Sequence, residues 1–142
     1  MISFQSDYSS FLIKNEKQII NWITTVINKE GKELGEIAYK FTDDKSILEI
    51  NKRYLNHNYY TDIITFDYCE NDIISSDIVI SIDTVKANAK FYNVHFYNEL
   101  LRVIIHGILH LLNYDDKTNE DQKRMTDKED ECLRLININN FL

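Results

Sequence analysis

Two histidines and one aspartate in the last third of the chain have the types and spacing of metal ligands. His106 and His110 are four residues apart, so on a helix they share one face, with Cβ atoms about 5–6 Å apart. Asp116 follows six residues later, and Asn113 between them tolerates the left-handed conformation that ends a helix. The chain can therefore turn back and bring the Asp116 carboxylate to the same ion. Two histidines and one carboxylate, with one coordination position left open, are typical of a catalytic zinc site.

The helix that must position these histidines is apolar on nearly every side. Its apolar residues are Leu100, Leu101, Val103, Ile104, Ile105, Ile108, Leu109, Leu111 and Leu112. Such a helix is buried, and burying an imidazole without a partner costs about 1–3 kcal/mol. A shared metal would supply the partner, although two core histidines bonded to carbonyl groups are the alternative interpretation. Gly107 lowers helix propensity by about 1 kcal/mol relative to Ala, which indicates that another group approaches the backbone there.

The same residues resemble a known family. The run from His106 to Asp115, HGILHLLNYD, is similar to the signature of the YbeY family, the bacterial endoribonucleases of ribosomal RNA maturation. Members of that family end the motif with a third histidine and have a glycine before the tyrosine. Here those positions hold Asp116 and Asn113. Aspartate keeps a ligand but makes it anionic, so we expect the site to have a lower net charge and a zinc ion there to be a weaker Lewis acid.

Three upstream segments extend the resemblance, so that it covers most of residues 45–131. They are Leu48–Tyr54, Thr61–Phe66 and Ser76–Ser81, which are similar to the family's segment before its central strand, that strand, and its Gly-Asp-Ile strand. One departure concerns catalysis. Family members commonly have an arginine, proposed to act on the RNA phosphate, where this chain has Leu55. The proline that usually precedes Thr61 is also replaced, by Tyr60.

The composition predicts one ordinary globular domain, residues 1–142, with 44% apolar residues. The chain has no apolar run of membrane-spanning length and no signal peptide at its start, so a cytoplasmic location is the default. Cys69 and Cys132 form no Cys-x-x-Cys pair and are interpreted as structural thiols. The net charge of −7 argues against strong general binding of nucleic acid. A local basic groove or a ribosomal protein that delivers the RNA would resolve this.

The order of predicted elements is strand, helix, strand, helix, two strands and three helices. Strands are predicted at 2–5, 35–42, 62–68 and 77–82, the last two as an antiparallel pair. The predicted helix caps are Asn15 with Gln18, Asp43, Asp83, Asn98, and Thr118 with Asp121. Apolar spacing puts Phe91 on the inward face of its helix and packs Met125, Cys132, Leu133 and Ile136 onto the core. This order predicts an α+β or α/β fold, a small mixed sheet of about four strands surrounded by helices, with the metal site on a buried central helix.

Other residues are candidates on chain position alone. Asp62 and Asp115 are candidate general bases, and Thr61, Thr65 and Tyr114 are candidate substrate contacts. For Thr61, Asp62 and Thr65, turn capping and a solvent-facing side are interpretations as good as lining of a cleft. Other predictions assign structural roles: Asp77 bonds backbone at a strand start, His57 and His95 have surface or capping roles, and residues 127–131 form a solvated acidic face.

The leading hypothesis is a zinc-dependent endoribonuclease of single-stranded RNA, with ribosomal RNA and the small ribosomal subunit or its proteins as partners. The substrate comes from the resemblance, not from the residues. An Asp-containing site also accepts nickel, cobalt or iron. Another metal-dependent hydrolase is the first alternative, although Gly107 stands where zinc proteases of similar spacing have their general-base Glu. A non-catalytic ribosome assembly factor with a structural metal is the second.

Overall fold

A computed structural model describes residues 1–56 and 61–142. The elements are β1 (Ile2–Ser6), α1 (Glu16–Lys29), β2 (Glu33–Thr42), α2 (Asp44–Leu55), β3 (Ile63–Asp67), β4 (Ile73–Ser81), α3 (Ile82–Tyr92), α4 (Phe96–Leu111), α5 (Asn119–Leu133) and a 3₁₀ helix (Ile138–Phe141). The predicted role of His57 and the replacement of proline by Tyr60 fall outside the described residues. No helix within the described ranges is both long and apolar enough to cross a membrane.

The four strands form one mixed sheet in the order β1-β2-β4-β3. β1 and β4 both pair in parallel with β2, and β3 pairs antiparallel with β4. Parallel neighbours need a crossover connection, and α1 supplies it between β1 and β2. The predicted α+β fold with a small mixed sheet is confirmed, as is the antiparallel pair. β4 begins four residues earlier than predicted because Ile73 already pairs with Glu33 of β2.

The core lies between the sheet and the helices that pack on it. In β2 the side chains of Ile37, Tyr39 and Phe41 alternate with more exposed ones and are buried, as their spacing predicted. They face the core that contains the apolar residues of α4. The Tyr39 hydroxyl donates a hydrogen bond to the carbonyl of Ile104, with an O–O distance of 3.2 Å. This bond ties the centre of the sheet to the middle of α4.

Gly107 lies where α4 passes close to β3. A Cβ atom on this residue would lie 2.9 Å from Cδ1 of Ile63 and 3.3 Å from Oγ1 of Thr65. The prediction that another group approaches the backbone at Gly107 is therefore confirmed. This contact sets the spacing between the helix with the two histidines and the strand that faces them.

Two predicted helix caps are confirmed. The Asp43 carboxylate accepts a hydrogen bond from the backbone N–H of Ser46, at 2.8 Å. The Thr118 hydroxyl accepts one from the backbone N–H of Asp121, at 3.0 Å. Each satisfies an N–H group that the first turn of a helix leaves without an internal partner.

The prediction of a capping box formed by Asn15 and Gln18 was wrong. Asn15 precedes α1 in a left-handed conformation, and its side chain does not cap the helix. Its amide instead donates to the carbonyl of Asn140, while the side-chain amide of Asn140 donates to Oε1 of Gln18. Both residues of the predicted box are thus used to hold the C-terminal segment, a long-range contact that local sequence does not reveal.

The caps predicted for α3 and α4 were also wrong, each by a few residues. Ser81 caps α3, because its hydroxyl accepts from the N–H of Thr84. His95 caps α4, because its Nδ1 accepts from the N–H of Tyr97 at 3.1 Å. A capping role was one of the two predicted for His95.

Phe91 was predicted to face inward, but its side chain is 82% exposed.

Candidate metal centre and cleft

His106, His110 and Asp116 converge on one point. The Nε2 atoms of the two imidazoles are 3.0 Å apart. Oδ2 of Asp116 lies 3.2 Å from Nε2 of His110 and 3.5 Å from Nε2 of His106. One ligand atom from each residue therefore lies within 4.8 Å of the others, close enough for all three to hold one metal ion. The geometry brings together the three residues that spacing had singled out.

The turn after α4 delivers the aspartate. Asn113 has a φ of 73°, the left-handed conformation that its residue type tolerates and that its position predicted. The backbone N–H of Tyr114 then donates to the carbonyl of Leu109 at 2.9 Å, which closes the end of the helix. This reversal directs the chain back along α4, so that Asp116 reaches the face with the two histidines.

Glu129 of α5 fixes the orientation of His106. Its Oε2 lies 2.6 Å from Nδ1 of His106. Arg102, one turn earlier on α4, donates to Oε1 of Glu129 at 2.7 Å and also pairs with Asp130. With Nδ1–H donating to a carboxylate, the lone pair of Nε2 is free to face the cluster, an arrangement common among metal-binding histidines.

Sequence reasoning missed Glu129. Residues 127–131 were predicted to form a solvated face, but the Glu129 residue is only 6% exposed. Met125, Glu129 and Cys132 are the buried residues of α5 and recur at positions i, i+4 and i+7. That spacing was the available signal that this one acid of the run faces inward.

The electrostatics of His106 reflect this contact. Burial alone would lower the pKa of the imidazole, but the hydrogen bond and the charge of Glu129 outweigh burial. Asp62 and Asp116 add to the effect, and the pKa of His106 is raised overall. The ring therefore lies in a strongly negative environment, which also attracts a cation.

A cleft of about 390 Å³ opens over the cluster. Its lining residues are Thr61, Asp62, Ile63, Thr65, Asp67, His106, His110, Leu111 and Asp116. The start of β3 thus forms the wall opposite α4. Burial raises the pKa of Asp62, although the nearby His106 partly opposes this. A carboxyl group whose pKa is shifted toward neutrality beside a metal cluster is a candidate for proton transfer.

Two other predicted site residues lie apart from this lining. Asp115 is exposed. The Tyr114 hydroxyl donates a short hydrogen bond to Oε1 of Glu30, near the end of α1. Roles for Asp115 in catalysis and for Tyr114 in substrate binding stay predictions.

The cleft is acidic in the part of the chain that is described. Its lining includes the carboxylates of Asp62, Asp67 and Asp116 and no lysine or arginine. Leu55, at the arginine position of the resemblance, ends α2 and is 38% exposed.

Asp77, predicted to bond backbone, instead accepts from the Tyr68 hydroxyl at 3.3 Å on the exposed side of β4.

Comparison with known proteins gives concordant matches. The family model described as Endoribonuclease YbeY matches residues 2–137. A relative named Endoribonuclease YbeY from Phocaeicola vulgatus is 48% identical over 97% of this chain and 100% of its own length. Another of that name, from Flavobacterium psychrophilum, is 49% identical over 97% of this chain and 98% of its own. The solution structure of TM1509 from Thermotoga maritima is 27% identical, with a TM-score of 0.65 over 93% of this chain and 86% of that one.

Proposed function

The chain belongs to the Endoribonuclease YbeY family, and on this premise we propose that it is a metal-dependent endoribonuclease of single-stranded RNA. The convergence of His106, His110 and Asp116 at the base of a cleft is the observation on which the proposal depends. We further propose that the substrate is ribosomal RNA during its maturation in the cytoplasm, with the small ribosomal subunit or its proteins as partners.

The residues present fit a divalent metal. Two imidazoles and one carboxylate are a donor set suited to zinc, and three protein ligands leave a coordination position for substrate or water. The carboxylate of Glu129 on His106 adds the support that such ligands commonly have. We propose zinc as the metal, with nickel, cobalt or iron as the alternatives that this donor set accepts. Bound there, the ion would act as a Lewis acid on the phosphodiester and lower the pKa of a water molecule.

The chain's own groups have distinct roles in this proposal. Glu129 holds Nδ1 of His106, so the imidazole keeps one tautomer and one direction. Asp62 lies in the cleft with a raised pKa and accepts the proton of the attacking water. Thr61 and Thr65 line the same wall, where their hydroxyls can donate to phosphate oxygens. The Thr61 hydroxyl has one proton and donates it to the carbonyl of Ile63 at 3.2 Å, so it donates to a phosphate only by exchanging this bond for one to the substrate.

The test is cleavage of ribosomal RNA precursor fragments by purified, zinc-loaded protein. We expect discrete cleavage products from the wild type and none from the His110→Ala variant. Elemental analysis of protein purified without a histidine tag identifies the native metal. Identical products from wild type and variant would contradict the proposal, because the activity would then come from a contaminating nuclease or from a different site.

One observation favours a second candidate function. The described lining of the cleft offers no cation to neutralise RNA phosphate, and Leu55 stands at the position of the family's arginine. A ribosome assembly factor in which the metal mainly stabilises the fold would need neither. That function predicts co-sedimentation with ribosomes that survives His110→Ala, a large fall in melting temperature on chelation, and no cleavage by the wild type.

A further inference from the structure

A second cavity lies beside the metal cleft. It has a volume of about 760 Å³ and lies between α4, α5 and the C-terminal segment. Leu101 of α4, Leu133 of α5 and Ile136 supply apolar wall, and Glu99 and Arg102 supply charged groups. Nothing in the proposed cleavage reaction uses this cavity. Its mixture of apolar surface with a few charged groups is typical of ligand sites.

Glu99 is the unusual residue of this cavity. It is only 7% exposed, yet among the described residues no hydrogen bond to its carboxyl group is found. Arg102 is close to it along the helix, but the guanidinium is already held by Glu129 and Asp130. Oγ1 of Thr42 is the only fully buried side-chain polar atom without a partner among the described residues, so the Glu99 oxygens are reached by solvent from the cavity. A ligand that supplies hydrogen-bond donors would take the place of that water.

The charge of the cavity limits what that ligand can be. Its lining includes three acids, Glu99, Glu129 and Asp130, and two arginines, Arg102 and Arg134. Since the acids outnumber the arginines, the lining favours a ligand that presents hydrogen-bond donors to Glu99. The cavity is also lined by the ring of Tyr92, 61% exposed on the surface, and aromatic rings of this kind stack on flat heterocycles.

The position of Glu99 relates the cavity to the metal cluster. Glu99, Arg102, His106 and His110 follow one another at intervals of three or four residues, so they share one face of α4. Glu99 and His106 are separated by seven residues, which is about 10 Å along the helix axis. A strand with a phosphate at the cluster could place a nearby base in the cavity.

We propose that the α4–α5 cavity binds a guanine base of the RNA, with guanine N1–H and N2–H donating to the two carboxylate oxygens of Glu99. Guanine is the base whose pairing edge has two adjacent N–H donors, which match the two oxygens of a carboxylate. Adenine and cytosine offer one amino group at that edge. Single-stranded RNA is read in this way, through the pairing edges of unstacked bases. The inference rests on the proposed function for its source of guanine, but the site itself can be tested without cleavage.

The first experiment measures binding of 5′-GMP and 5′-IMP by calorimetry at pH 8, where Glu99, with a pKa raised to about 7, is ionised and can accept both hydrogen bonds. The two nucleotides share phosphate, sugar and N1–H, and IMP lacks only the N2 amino group. We expect wild-type protein to bind GMP about tenfold more tightly than IMP, the effect of one hydrogen bond to a charged group. Glu99→Gln should remove the difference. Glu49→Gln, the same change on an exposed residue of α2, should retain it.

A second variant blocks the cavity without changing Glu99. Thr126 is an exposed residue of its wall, and Thr126→Trp should abolish the preference for GMP while the protein keeps its circular dichroism spectrum. Equal affinity of the wild type for GMP and IMP overturns the inference. So does an unchanged preference in both Glu99→Gln and Thr126→Trp.

The RNA arm uses oligouridine strands with a single guanosine or a single inosine. We expect wild-type protein to cleave the strand at a fixed number of nucleotides from the guanosine. Glu99→Gln should cleave the same strand at positions that do not depend on where the guanosine lies. Cleavage by the wild type that ignores the guanosine overturns the guanine site in RNA while the proposed nuclease function stands. GMP selectivity that depends on Glu99, without cleavage of any strand, supports the site as a nucleotide site while the nuclease proposal fails.

Discussion

Nδ1 of His106 on α4 lies 2.6 Å from Oε2 of Glu129 on α5. Through this contact α5, which contributes no metal ligand, orients the side chain of a ligand on α4. Glu129 is buried and is itself held by Arg102. The metal site is therefore a property of two packed helices and the turn between them, not of the histidine motif alone.

Glu129→Gln tests this relationship. We expect zinc affinity to fall by about 10- to 100-fold, the usual effect of losing a carboxylate behind a histidine ligand, while the fold is retained. Competition with a chromophoric chelator measures the affinity. Glu131→Gln, on an exposed residue two positions further along α5, is the matched control. Equal zinc affinity in Glu129→Gln and the wild type would show that the contact does not support the ligand.

Asp62→Asn and Asp115→Asn discriminate the two candidate bases. Only Asp62 lines the cleft, so we expect Asp62→Asn to lower the single-turnover cleavage rate by about 10²–10⁴-fold, the contribution of a general base. Asp115 is exposed, and its variant should cleave at close to the wild-type rate. The reverse pattern would identify Asp115 as the base and remove Asp62 from the proposal.

Substitutions at Gly107 probe the distance between α4 and β3. In Gly107→Ala the new methyl meets Cδ1 of Ile63 at 2.9 Å, but that atom ends a side chain that can move, and alanine favours the helix by about 1 kcal/mol. We expect the free energy of unfolding to change by less than about 1 kcal/mol. Gly107→Val adds two further carbons against Ile63 and Thr65, and should destabilise by about 1–3 kcal/mol.

Urea denaturation of the metal-free protein measures both Gly107 variants. The informative quantity is the difference between them, since both remove the same backbone freedom of glycine. If valine proves as well tolerated as alanine, the close approach of β3 to this point of α4 is not maintained in solution.

Glu99 predicts a pH-dependent stability. Burial, followed by the charge of Asp62, raises the pKa of this carboxyl from its ordinary 4.5 to about 7 in the folded protein. Below about pH 4.5 the group is protonated in both states and favours neither. Between that pH and about 7 the unfolded chain loses the proton first, so folding stability declines as pH rises, by at most about 3 kcal/mol from this group, since water that reaches the carboxyl screens part of the effect.

The measurement compares wild type and Glu99→Gln, both metal-free, by urea denaturation at pH 5 and pH 8. Glutamine does not ionise, so the variant should gain stability relative to the wild type on going from pH 5 to pH 8. Other titrating groups act on both proteins and largely cancel. A difference between the two proteins that does not change with pH would contradict the raised pKa of Glu99.

Sequence by itself determined the features that depend on local geometry. The four-residue interval of His106 and His110 places both on one helix face, and Asn113 supplies the left-handed turn that returns Asp116 to them. The alternating residues of β2 and the periodic apolar residues of α4 likewise predicted a strand of the sheet and the central helix. These inferences held because helix and strand periodicity is fixed by the backbone.

Tertiary structure decided which polar residues meet. Glu129 belongs to an acidic run that looks solvated, and only the packing of α5 on α4 gives it His106 and Arg102 as partners. Asn15 has the sequence of a cap but instead bonds the carbonyl of Asn140, 125 residues away. A hydrogen bond between distant segments depends on where the whole chain folds, and no local pattern encodes that position.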